Sequence, residues 1–92
     1  MSKQFQLQLI NLLKQYPLKQ ASLFGSFGRG DEDSSSDIDI LIEPESGFTL
    51  FDMLRMEQAL AKKLKRKVDL VEFSAIKPSL RERILQQAVS LI

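Results

Sequence analysis

Two aspartates spaced by one residue, Asp37 and Asp39, follow a Gly25-Ser26 pair across a ten-residue spacer in the segment LFGSFGRGDEDSSSDIDILIE. On a β-strand such a pair shares one face, about 7 Å apart along the chain. Ile38 and Ile40 then point the other way, into a core. Mg²⁺ is hard and octahedral, and is commonly held by one or two carboxylates plus substrate phosphates. Paired carboxylates supply that partial shell, and a two-metal site clamps both the attacking and the leaving oxygen of an in-line displacement. Gly25 lets backbone N–H groups approach a phosphate, with the Ser26 hydroxyl beside them. The competing reading is a plain strand-to-helix turn, since Gly-Ser is common in loops.

A third carboxylate, Asp69, lies in the apolar stretch ValAspLeuVal. An aspartate in such a strand is costly unless paired or bound to a metal. Alone, Asp69 fits a salt bridge or a water-facing edge as well as a metal site; beside Asp37 and Asp39 the metal reading is favoured, with Asp69 holding the acceptor-side ion and taking its proton. Arg29 suits a charge-assisted phosphate contact and equally an ion pair with Asp31, Glu32 or Asp33. The segment GlySerPheGlyArgGly runs G-x-x-G-x-G, which is neither the dinucleotide fingerprint nor a P-loop.

Absent residue types narrow the chemistry further. With no cysteine and no histidine, a disulfide framework, a thiol nucleophile, a Cys/His zinc site and a Ser-His-Asp triad are all excluded. Carboxylates, hydroxyls, Lys/Arg and hard metals remain. A net charge of +1 offers no field for steering nucleic acid or an acidic membrane. The single basic run, Lys62 to Lys67, reads first as a helix C-terminus complementing the dipole, ahead of nucleic-acid binding. No apolar run approaches the ~20 residues that span a bilayer, and the N-terminus lacks a signal-peptide pattern, so a cytoplasmic location is expected.

The 92 residues leave room for one domain, residues 1–92. A chain this short buries only about 60% of its unfolded surface, so a homo- or hetero-oligomeric partner would help it. Helical spacing of Phe5, Leu9, Leu12, Leu13 and Tyr16 predicts a helix over 4–16, stopped by Pro17. SerLeuPhe at 22–24 predicts the end of a short strand, and Gly25, Gly28 and Gly30 a tight loop with one helical turn. A second strand covers 37–43. Thr49 is placed to cap a helix over 50–65 with Leu50, Leu54, Leu60, Ala61 and Leu64 inward. A third strand covers 68–73. A last helix, opened by Ser74 or by Pro78-Ser79, turns Leu80, Ile84, Leu85, Ala88 and Val89 inward. The order α-β-β-α-β-α predicts an α/β (α+β) fold, a small mixed sheet flanked by helices.

The combination of GlySer, the spacer, Asp-x-Asp and a later strand aspartate resembles the DNA polymerase β-like nucleotidyltransferase superfamily. More narrowly, LFGSFGRG, SDIDILI and KVDLV together resemble the minimal nucleotidyltransferase (MNT) family over almost the whole chain. The C-terminus is similar too, although Gln87 and Ile92 stand where the family commonly has an acidic residue and a Tyr. The resemblance implies a polymerase β-like core in which Asp37, Asp39 and Asp69 bind two Mg²⁺ and Gly25 and Ser26 hold the triphosphate. It implies transfer of a nucleoside monophosphate, AMP from ATP, to a hydroxyl. Many such proteins are antitoxins that add AMP to a tyrosine of an all-helical HEPN toxin encoded nearby. Larger members carry a helical acceptor domain, so here a partner protein is expected to supply the acceptor, docking near apolar Leu91-Ile92. The alternative is a non-catalytic nucleotide-binding module that neutralises its partner by occlusion. A transferase acting on a small molecule such as an aminoglycoside is disfavoured.

Overall fold

The computed structural model describes residues 2–30, 32–33 and 36–92. Helix α1 (Lys3–Leu13) is capped by Ser2, whose hydroxyl accepts from the Phe5 N–H. It leads into strand β1 (Leu18–Phe24), which runs directly into the five-residue helix α2 (Gly25–Arg29). Strand β2 (Ile38–Pro44), helix α3 (Leu50–Leu64) and strand β3 (Val68–Glu72) follow. A 3₁₀ turn at Phe73–Ala75 precedes helix α4 (Pro78–Gln87) and the two-residue strand β4 (Val89–Ser90).

The strands form one mixed sheet in the order β3-β2-β1-β4. β1 pairs antiparallel with β2 and β4, while β2 and β3 run parallel. A parallel pair needs a crossover, which α3 provides. Ile38, Ile40 and Ile42 alternate onto one face of β2 and are buried with Leu23, Val68 and Leu70 against Leu9, Leu13, Met56 and Leu60 of the two long helices. The opposite face carries Asp39 and, on its neighbour, Asp69. Thr49 caps α3 as expected, and the cap is a capping box: its hydroxyl accepts from Asp52 N–H, and the Asp52 carboxylate accepts from Thr49 N–H at 2.8 Å.

Four expectations need correction. α1 stops at Leu13, and Tyr16 packs against the core from the following turn. The buried stripe of α3 centres on Met56 and Leu60, with Met53, Ala61 and Leu64 partly buried. Leu50 and Leu54 are exposed beside Phe51. An aliphatic stripe that omits the methionines is rotated toward solvent. α4 buries no residue fully, and Leu80 and Leu85 lie 45% and 47% exposed. The helix ends at Gln87 because Ala88 turns extended, which sends Val89 into register with Leu23. The C-terminal residues are therefore not a free apolar end. Leu91 is buried, and Leu91 N–H and Ile92 N–H both donate to the Ala21 carbonyl. Among the described residues no helix is long and apolar enough to cross a membrane.

Candidate active site

The β1–β2 register brings Gly25 to the aspartates. Phe24 is opposite Asp39, so the residue that opens α2 falls beside the Asp39 carboxylate. Gly25 has φ +68°, a conformation that disfavours any side chain. A β-carbon there would also collide with the Asp39 carboxylate. Glycine is required twice over, by conformation and by space. Ser26, half-buried, sits in the first turn of α2. Gly30 closes the helix in the left-handed region, its N–H donating to the Ser26 carbonyl. Gly28 is required for packing, since a β-carbon would lie 2.8 Å from the Gln87 carbonyl oxygen and 2.9 Å from that of Leu23. It lets α2 seat against the end of α4.

The parallel β2–β3 pairing sets Asp39 directly opposite Asp69. Adjacent strands lie about 4.8 Å apart, so the two carboxylates are close neighbours on one face. Asp37 immediately precedes β2, which starts one residue later than expected. Burial first, then the negative charges of Asp69 and Asp37, raise the Asp39 carboxyl above its ordinary range; Lys67 and Arg29 oppose that shift. Crowded like charges of this kind favour a bound cation. Among the described residues no three carboxylates close into a preformed cage. Mg²⁺ commonly takes part of its shell from substrate phosphates and water.

Two residues of the basic run belong to this site, a placement the sequence reading missed. Lys67 is exposed, but its Nζ lies 4.0 Å from Asp37 Oδ2, and its carbonyl accepts from Ile38 N–H at 2.9 Å. Arg66 donates through Nη1 to the carbonyls of Asp33 and Ser36 at 2.9 and 3.1 Å, and lies over the Phe27 ring. A signal existed. AspIleAspIle and LysValAspLeu share one pattern, and aligning them on parallel strands puts Lys67 beside Asp37. Arg29 is exposed, and its charge reaches Asp39. Of the acidic partners weighed for it, Asp31 lies outside the described residues, as do Ser34 and Ser35. A separate 520 Å³ cleft, lined by Tyr16, Gly47, Phe48 and Arg55 among others, lies beyond the far end of β2 and away from the aspartates.

Residues 7–92 match the family model "Polymerase beta, Nucleotidyltransferase". The chain belongs to that family. Among its relatives is a Methanocaldococcus jannaschii protein named as a candidate protein adenylyltransferase. It is 38% identical over 85 residues, spanning 92% of this chain and 91% of the relative. A solved toxin–antitoxin structure with AMP-PNP superimposes with a TM-score of 0.81 at 28% identity, over 95% of this chain and 72% of that one. A Shewanella oneidensis complex of a tri-AMPylated HEPN toxin with its MNT antitoxin matches at TM-score 0.76 and 26% identity, over 100% of this chain and 72% of that one. In this nucleotidyltransferase the expected mixed sheet with flanking helices is present, and its order differs from expectation by the added α2, the 3₁₀ turn and β4.

Proposed function

We propose that this nucleotidyltransferase is a Mg²⁺-dependent protein adenylyltransferase, acting as a single 1–92 unit in the cytoplasm. It moves AMP from ATP to a tyrosine hydroxyl of a HEPN-type partner and silences that partner as its antitoxin. The observation that carries this reading is the contact of Gly25 with Asp39, which stands opposite Asp69. The phosphate-approaching turn and the carboxylates thereby share one corner. Asp37, Asp39 and Asp69 offer the hard oxygen donors that Mg²⁺ prefers. When bound, the two ions expected supply charge neutralisation at the triphosphate and activation of the acceptor oxygen.

The chain's own groups do the rest. Gly25 leaves room for the β,γ-phosphates, and the Ser26 hydroxyl with its neighbouring N–H groups donates to them. Arg29 adds a cation at the open side of the turn. The acceptor oxygen attacks the α-phosphorus, and the bond from that phosphorus to the α,β-bridging oxygen breaks. Pyrophosphate departs, and the hydroxyl proton passes to the Asp69 carboxylate. Relatives named as adenylyltransferases and as partners of AMPylated toxin support the choice of AMP and of a protein acceptor.

Intact-mass measurement of the HEPN-type partner after incubation with this protein and Mg·ATP is the test. A gain of AMP units, lost with D37N or D39N, is the expected result. An unchanged mass with a stable, silenced complex would replace catalysis by occlusion.

A further inference from the structure

We propose that Arg66 is a positioning residue that fixes the approach of the chain to Asp37. The inference rests on Asp37 being a metal ligand. Arg66 follows Lys65, a non-glycine residue held at φ 55°, ψ 38°, and both their N–H groups donate to the Ala61 carbonyl. That left-handed turn ends α3 and throws the guanidinium across to the other side of the site. There one nitrogen, Nη1, donates to two carbonyls, those of Asp33 and Ser36. Ser36 is the residue immediately before Asp37. The Ser36 N–H in turn donates to the same Asp33 carbonyl, and the Asp33 N–H donates to the Ser36 hydroxyl at 2.9 Å. Arg66 thus ties Asp33 to Ser36, the residue that leads into Asp37.

The guanidinium carbon, Cζ, also lies 5.2 Å from the centre of the Phe27 ring. Phe27 is the buried anchor of α2 and stacks on Phe5 of α1 at 5.6 Å. One side chain therefore touches both halves of the site: Ser36, which leads into Asp37, and the helix that carries Ser26. Nη1 makes both hydrogen bonds while the flat face of the guanidinium packs on Phe27, and lysine lacks that flat face. Groups that orient a ligand are typically worth 10–100-fold in metal affinity.

Mn²⁺ binding to the intact protein, followed by electron paramagnetic resonance, and amide exchange at Asp33 and Ser36 are measured for wild type, R66Q and R66K. R66Q is expected to weaken Mn²⁺ about tenfold and to speed both amides, with R66K restoring only part of either. A purely structural arginine would lower the melting temperature and leave the affinity of the folded protein unchanged. Mn²⁺ affinity of R66Q within about twofold of wild type would overturn the proposal, as would complete rescue by R66K. Wild-type protein that binds no Mn²⁺ would instead sink the reading of Asp37 as a ligand, and the positioning role with it.

Discussion

Gly25 and Asp39 touch: the glycine's α-carbon leaves no space for a β-carbon on the side of the Asp39 carboxylate. The Gly25 turn and the Asp39 carboxylate cannot be altered independently. G25A must move either the turn or the aspartate, and it adds the cost of a left-handed residue, about 1–2 kcal/mol. Because a shift of about 1 Å at a reacting centre costs on the order of a hundredfold in rate, AMP transfer by G25A should fall at least that far. Transfer assays beside urea melts separate the two effects. Near-normal transfer would show that the turn does not serve the chemistry.

Asp39 gives a pH signature. Its folded-state carboxyl is raised, by burial and then by Asp69 and Asp37. The folded protein therefore holds that proton more firmly than the unfolded chain. The resulting destabilisation is absent below the unfolded value near 3.9 and complete above the raised folded value. Metal-free D39N should melt higher than wild type at neutral pH, with the difference vanishing in acid. Mg²⁺ should raise the wild-type melting temperature and leave D39N nearly unmoved. Thermal melts across pH, with and without the metal, check both statements.

Much of this site was legible in the sequence because period-two alternation fixes faces. AspIleAspIleLeuIle can bury its isoleucines only by turning Asp39 outward, and the same logic places Asp69. Thr49 announced the cap of α3, though not the reciprocal bond from Asp52. What stayed hidden depends on tertiary placement. Met53 and Met56 line the buried face of α3, whereas Leu50 and Leu54 face solvent. α4 looks amphipathic yet packs only partly. β4 is two residues long and exists because β1 has an open edge to receive it. Arg66 reads as one more cation of a basic run until the left-handed Lys65 turn aims it.

Gly28 is a packing glycine rather than a ligand-binding one. Its ordinary conformation carries no strain, but backbone carbonyls of Leu23 and Gln87 close on it from two sides, 2.9 and 2.8 Å from where a β-carbon would stand. Neither is the far end of a flexible side chain, so α2 or α4 must shift in G28A. Overpacking of this kind costs about 1–3 kcal/mol. Urea denaturation should show that loss, and an unchanged midpoint would mean that α4 yields freely.

Lys65 offers the opposite change. It is the non-glycine residue with positive φ among the described residues, at the left-handed cap of α3. Glycine is the usual occupant of that position because it lacks the β-carbon clash. K65G should stabilise by about 0.5 kcal/mol, the relief of about 1–2 kcal/mol being partly offset by a more flexible unfolded chain. A rise in the urea midpoint at constant slope would confirm it.

Lys67 should compete with a metal bound at these carboxylates. Its ammonium stands 4.0 Å from Asp37 and lies close enough to Asp39 to oppose the rise of that carboxyl. A divalent cation arriving at these carboxylates meets a like charge already in place. Both partners are substantially exposed, with side-chain accessibilities of 70% and 48%, so the effect is modest. Unit charges at about 4 Å interact by about 1 kcal/mol in water, which corresponds to roughly fivefold in affinity. K67A should therefore bind Mn²⁺ a few-fold more tightly than wild type in the absence of nucleotide, the reverse of R66Q. The gain should shrink in high salt, because exposed charges are screened there. Mn²⁺ titrations of both variants at low and high ionic strength test the pair together. Weakening in K67A would mean that Lys67 does not compete with the metal.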